Sequence, residues 1–164
     1  MIGKRVKESS VTLSLITLPQ DANHAGMVHG GVIMYHIDNA AGVTAMRHTR
    51  ENAVTASIDR LDFHNPVFVG NLLIIKAGLN RVGKTSMEVG VRVEAENLFT
   101  GKVTHTASAY LTFVALDKDR RPMKVPPLIL ETDDEKRRNR QALDRHELRI
   151  AEKKKTRRNY DINT

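Results

Sequence analysis

The sequence predicts an α+β fold in which a curved antiparallel sheet wraps one long central helix, with a charged helix behind it. Three observations carry this expectation. From about His29 to His48, apolar residues fall on nearly every side of a 3.6-residue helix, so the segment belongs inside a domain. Around it lie segments in which apolar residues alternate at period two, the mark of strands with one buried face. Beyond Pro126-Pro127 the composition turns charge-rich, which divides the chain into a domain over 1–125 and a helical tail over 126–164.

Val11 to Leu18 alternates hydroxyl and aliphatic residues and reads as the first strand. A polar loop from Pro19 to Gly26 leads into the apolar helix. Val54 to Phe63 is the next strand, closed by the turn-favouring pair Asn65-Pro66. Val67 to Asn80 has Leu72-Leu73-Ile74-Ile75 at its centre and Gly70-Asn71 near its start, a strand with an expected bulge. After a turn at Val82-Gly83-Lys84, Met87, Val89, Val91, Val93 and Ala95 alternate with Glu88, Gly90, Arg92, Glu94 and Glu96, one face buried and one wet. Thr100-Gly101 turns the chain into a last strand, Lys102 to Leu116. Short turns between successive strands imply antiparallel hairpins. In the tail, Thr132 and Glu135 form a capping box, with acids before and Lys136, Arg137, Arg138, Arg140 and Lys153 to Lys155 after, in the sense that suits a helix dipole. Its few apolar residues (Leu143, Leu148, Ile150, Ala151) bury a thin stripe at most, which places it on the surface or against another subunit.

A chain of 164 residues, 40% hydrophobic and 27% charged, is one globular domain's worth. No basic start is followed by an apolar signal core, and no run approaches the ~20 residues that cross a bilayer. Cysteine is absent, which excludes disulfides and thiolate metal sites and suits the cytoplasm. The formal charge of +7 favours polyanionic partners: nucleic acids, anionic membranes or phosphorylated ligands. Tail aromatics are missing until Tyr160, so Lys153-Lys154-Lys155 and Arg157-Arg158 support only unspecific nucleic-acid contact.

Asp38 is the only formal charge between Met27 and Met46. Burying an unpaired carboxylate costs several kcal/mol, so it is paired, protonated or used in chemistry. His29-Gly30-Gly31 opens the helix, where adjacent glycines either relieve a tight turn or let a ligand approach backbone N–H groups that favour developing negative charge. His24, His29 and His36 lack the i, i+4 spacing of a helical zinc pair, so no metal is expected. Gly83-Lys84-Thr85 lacks the first glycine of a phosphate-binding loop.

The order Asp21-x-Asn23-x-x-Gly26-x-x-His29-Gly30-Gly31, then Asp38-x-Ala40-Ala41, Phe63-x-x-Pro66-Val67 and Gly83-Lys84-Thr85-Ser86, resembles the hotdog-fold acyl-CoA thioesterases, and among them the cytosolic acyl-CoA hydrolase group. The resemblance covers roughly Val11 to Leu116. It implies edge-to-edge pairing of two subunits into one extended sheet, active sites at their interface, and assembly as a trimer of dimers. It implies hydrolysis of fatty acyl-CoA without a cofactor, coenzyme A being part of the substrate. Asn23 of one subunit and Asp38 of its neighbour would face the thioester, Asp38 as general base or nucleophile and Asn23 positioning water or the carbonyl. A backbone N–H of Gly31 or Val32 would hold the oxyanion, His29 and Gly30 would line the pocket, and Arg60, Arg81, Lys84, Thr85 and Ser86 would meet coenzyme A. The alternatives are a non-catalytic acyl-CoA-binding sensor on the same fold, since fold does not fix activity, and a nucleic-acid-binding protein that uses the basic tail.

Overall fold

The computed structural model describes the backbone of residues 1–162, with side chains through Glu152 and those of Lys154 and Lys155. In chain order the elements are β1 (Lys4–Arg5), α1 (Val6–Ser9), β2 (Val11–Ile16), α2 (Gly30–Thr49), β3 (Asn52–Phe63), β4 (Leu72–Val82), β5 (Ser86–Glu96), β6 (Val103–Leu116), β7 (Leu128–Ile129) and α3 (Asp133–Ile162). The antiparallel sheet has the order β2-β4-β5-β6-β3, and β1 pairs with β7 in a small parallel ribbon. The segment with the clearest alternation, β5, is the central strand. Its Met87, Val89, Val91, Val93 and Ala95 point inward with Leu73, Ile75, Ala77 and Leu79 of β4 and Ala107, Ala109, Leu111, Phe113 and Ala115 of β6. The sheet curls around α2, whose Ile33, Ile37, Ala40, Ala41 and Ala45 complete this core. Burying each large aliphatic contributes ~1.5–3 kcal/mol, and the small residues of α2 let it lie close to the sheet. The expected hotdog architecture is present.

Four expectations need correction. The strands β4, β5 and β6 form hairpins, but β3 does not pair with β4; it crosses to the far edge beside β6. Alternation identifies a strand without naming its partner. The crossing segment is pinned by buried Val67, whose carbonyl accepts the Val28 N–H at 2.8 Å. Gly70, at φ +85°, lies in the turn before β4, and the irregularity of that strand falls between Leu79 and Arg81 instead.

The central helix is not enclosed in the protomer. Met34, Tyr35 and Met46 are exposed on one flank, and Asp38 is half-buried. An apolar pattern all round a helix does not distinguish cover by its own sheet from cover by a second chain.

The outer face of β5 is not simply wet, because α3 crosses it, and Glu88 is only 4% exposed. The tail's apolar stripe does not make this contact: Leu143 and Leu148 are exposed, and Ala142 is the buried apolar residue. Polar bonds hold the helix instead. Arg145 donates to Glu88 at 2.7 Å and stacks 3.7 Å over the Tyr110 ring, Asn80 donates to Glu88 at 3.0 Å, and Arg149 bonds Asp59 and Thr112. A methyl group on Gly90 would stand 2.6 Å from the Asn80 amide, so glycine makes room for this network. Burial opposes the Asp59 carboxylate, but hydrogen bonds from Arg149, Ser57 and Thr112 outweigh it and hold its pKa below the ordinary range. The capping box is formed as expected, the Glu135 N–H donating to the Thr132 hydroxyl at 3.1 Å. The side chains of Lys153, Arg157, Arg158 and Tyr160 lie outside the described residues.

Candidate active site

The loop before α2 is shaped by its own polar side chains. Asp21 accepts the Leu18 N–H at 2.7 Å through its carboxylate and the His29 N–H at 2.7 Å through its carbonyl, closing the loop at its base. At the tip, the Asn23 side-chain oxygen accepts from the N–H groups of Ala25 at 2.9 Å and Met27 at 3.2 Å, and Gly26 turns the chain at φ +77°. With its oxygen spent on the loop, Asn23 presents its amide nitrogen, a donor, to any ligand.

At the start of α2 the His29 ring caps the helix, its Nδ1 accepting the Gly31 N–H at 2.9 Å. In this bond Nδ1 is the acceptor, which leaves Nε2 as the ring's donor. The Val32 N–H bonds the His29 carbonyl at 2.9 Å. Both backbone donors expected at an oxyanion are therefore engaged in this state, and a carbonyl oxygen reaching Gly31 would have to displace the imidazole. A Cβ on Gly30 would stand 3.4 Å from the Phe63 ring, an ordinary contact, so packing within the protomer does not demand glycine there. His29, Gly31 and Val32 line a shallow cavity of about 560 Å³ with Asp21, Tyr35 and His36.

Asp38 lies ~12 Å along the helix axis from Gly30, given the 1.5 Å rise per residue. Its Oδ1 accepts the hydroxyl of Thr55 on β3 at 2.7 Å. Thr55 escaped the sequence reading because a threonine in a strand is ordinary β composition, and only the fold sets it opposite the helix carboxylate. No hydrogen bond joins Asn23 to Asp38 within the described residues of the protomer. Nor do His24, His29, His36 and Asp38 gather into a metal-binding group there.

The residues expected to meet coenzyme A divide. Arg81, Lys84, Thr85 and Ser86 lie at the β4–β5 turn, closed by the Gly83 N–H donating to the Ser86 carbonyl at 2.7 Å. Thr55 pairs with Phe113, which pairs with Met87, so this turn is about two strand spacings, ~10 Å, from Thr55. Arg60 is apart from them, exposed on β3 and paired with Asp62 at 2.5 Å. Alternation along a strand fixes its side but not which neighbouring group it meets.

Comparison with known proteins agrees with this architecture. The thioesterase superfamily model matches residues 25–112. The uncharacterized acyl-CoA thioester hydrolase YkhA of Bacillus subtilis is 40% identical over 79% of this chain and 75% of its own. The mouse cytosolic acyl coenzyme A thioester hydrolase is 38% identical over 81% of this chain, which spans only 35% of that longer protein. The acyl-CoA hydrolase of Staphylococcus aureus, solved with butyryl coenzyme A, coenzyme A and coenzyme A disulfide, superposes with a TM-score of 0.89 at 37% identity, covering 96% of both chains. Variants of it with an Asp, an Asn or a Thr replaced by Ala have also been solved. An apo-hexameric acyl-CoA thioesterase gives a TM-score of 0.90 at 39% identity over 93% of this chain and 97% of that one. With the sheet, the central helix and 37–40% identity over most of the chain in agreement, this protein belongs to the thioesterase superfamily, as a hotdog-fold member of its acyl-CoA hydrolase group.

Proposed function

We infer that this protein is an acyl-CoA thioesterase, converting acyl-CoA and water into a carboxylic acid and free coenzyme A. The observation that carries the reading is the Asp38 carboxylate, the only formal charge of α2 before Arg47, held by the Thr55 hydroxyl at 2.7 Å. The hydroxyl occupies Oδ1 and orients the group, which leaves Oδ2 for a water molecule or for the thioester carbon. As general base, Asp38 takes a proton from water as its oxygen attacks the carbonyl; the tetrahedral intermediate then expels the sulfur, which leaves with a proton as the thiol. As nucleophile, Asp38 would form a mixed anhydride, expel the thiol, and be regenerated by water. Either route develops charge on the carbonyl oxygen. The amide nitrogen of Asn23 is the donor for it, joined by the Gly31 N–H once the His29 ring moves aside.

Asn23 and Asp38 share no hydrogen bond among the described residues of the protomer, and the reading has the site completed by a second copy, Asn23 of one facing Asp38 of the other. The exposed flank of α2 at Met34, Tyr35 and Met46 is the surface such a partner would cover. Hexameric relatives support assembly as a trimer of dimers. The β4–β5 turn, with Arg81, Lys84, Thr85 and Ser86, is the candidate contact for the phosphates of coenzyme A. A cytoplasmic location fits a water-soluble thioester substrate, and no described helix is long and apolar enough to cross a membrane.

The test is a hydrolysis screen of acyl-CoA esters from two to eighteen carbons with a thiol-detecting reagent. The chain has no cysteine, so every thiol detected is coenzyme A. Release from at least one ester is expected; no release from any ester contradicts the reading.

A further inference from the structure

We propose that α3 extends beyond its own sheet and that the segment after Ile150 lies in a groove on the outer face of a second copy, so that two α3 helices pair antiparallel across joined β3 edges. The path of the helix carries the argument. Asn139 bonds the Asn80 carbonyl of β4 at 2.8 Å, Arg145 reaches Glu88 of β5 and Tyr110 of β6, and Arg149 reaches Asp59 of β3. The helix thus crosses the sheet in the order β4, β5, β6, β3, and β3 is the edge. It continues to Ile162, about 18 Å further at 1.5 Å per residue.

The neighbourhood of the crossing point is unfinished. Val54 and Ile58 are exposed on the edge strand, and Leu148 and Ile150 are exposed on α3 where it leaves the sheet. Along this flank runs a groove of about 1290 Å³, floored by Ser57, Ile58 and Tyr110 and walled by α3 at Gln141, Asp144 and Leu148. Positions 141, 144, 148 and 152 recur at the spacing of one helix face, so the wall is a helix flank suited to receive another helix.

The occupant is a second copy on grounds of symmetry and helix length. A two-fold axis through paired β3 edges passes close to Ile150, because Arg149 stands over β3; each helix then overhangs the partner's sheet by the same length that its own sheet is overhung. In the antiparallel pair position 144 of one protomer falls beside position 157 of the other, since the two positions lie equally far on either side of the Ile150–Ala151 peptide. This inference rests on the reading of an edge-to-edge dimer.

The absence of native cysteine makes the test direct. In full-length protein carrying Asp144→Cys and Arg157→Cys, the two thiols of one helix are ~20 Å apart and cannot join, so a disulfide between the positions is between subunits. Mild oxidation is expected to give a covalent dimer on a non-reducing gel from the double variant and from neither single variant. A double variant that sediments like the wild type yet forms no covalent dimer overturns the proposal. Should the double variant fail to assemble, ending the chain after Ile150, which keeps the Arg145 and Arg149 bonds, decides: at least tenfold weaker dimerisation supports the proposal and unchanged dimerisation overturns it. Acyl-CoA hydrolysis by the unsubstituted protein is assayed alongside, so a failed activity reading is separate from a failed cross-link.

Discussion

At the residue scale, the proposed function turns on one carboxylate and one hydroxyl from different elements, Asp38 of α2 and Thr55 of β3. Asp38→Asn keeps shape and removes the base, so kcat is expected to fall ~100-fold or more with the fold intact, since general-base catalysis contributes at least that much. Thr55→Val leaves the carboxylate but frees it to rotate, and a fall of about tenfold in kcat with little change in KM is expected, from a charge-assisted hydrogen bond of ~1.5–3 kcal/mol. Steady-state kinetics on both variants checks this; a Thr55→Val enzyme with full kcat would remove the orienting role. Asp38 was legible in the sequence as a lone charge in an apolar run, whereas Thr55 was not, because pairing across 17 residues is made by tertiary structure alone. A second residue sets a pH dependence. His48 is fully buried at the end of α2, its Nε2 on the Pro126 carbonyl at 2.8 Å, and burial lowers its pKa from 6.5. The folded chain therefore takes up this proton later than the unfolded chain. Stability from this group is whole well above pH 6.5 and is lost as pH falls from 6.5 toward the folded value. His146, lowered by burial and then by Arg81 and Arg149, acts in the same direction. The thermal midpoint is expected to drop between pH 7.5 and 5.5, and by less in His48→Gln; parallel curves for the two proteins would exclude His48 as a source.

At the scale of elements, the charged tail is the part whose sequence and structure diverge most. Its capping box and dipole-matched ends were legible because they are local patterns. Its docking was not, because the contact is made by Asn139, Arg145 and Arg149, residue types that are usually solvated, against Asn80, Glu88 and Asp59 on three strands. The same limit hid the crossing of β3 to the far edge, since a period-two pattern carries no information about neighbours. The bonds of Asn139, Arg145 and Arg149 hold α3 against the sheet. Arg145→Met would leave Glu88 buried without its cation, at a cost of roughly 3–5 kcal/mol, and adding Glu88→Gln should recover part of that loss. Urea unfolding of the two variants measures both quantities; a double variant no more stable than Arg145→Met would place the cost elsewhere. Ending the chain after Leu130 would strip the cations from Glu88 and Asp59 together and is expected to destabilise the sheet markedly, unlike removal of the overhang alone.

At the scale of the whole molecule, the proposed reading makes the protomer half of an enzyme. Asn23 on its loop and Asp38 on its helix share no hydrogen bond among the described residues, while the exposed flank of α2 and the edge of β3 stand open. A second copy would supply the other half, and the central claim is that each site takes Asn23 from one chain and Asp38 from the other. The direct measurement mixes two inactive proteins, Asn23→Ala and Asp38→Asn, in equal amounts after dissociation, with subunit exchange followed by mass. In each mixed dimer one site receives both substitutions and the other receives neither. Random pairing makes half the dimers mixed, so the expected activity is about a quarter of the wild-type value. Exchanged subunits that stay as inactive as either parent would contradict the shared site.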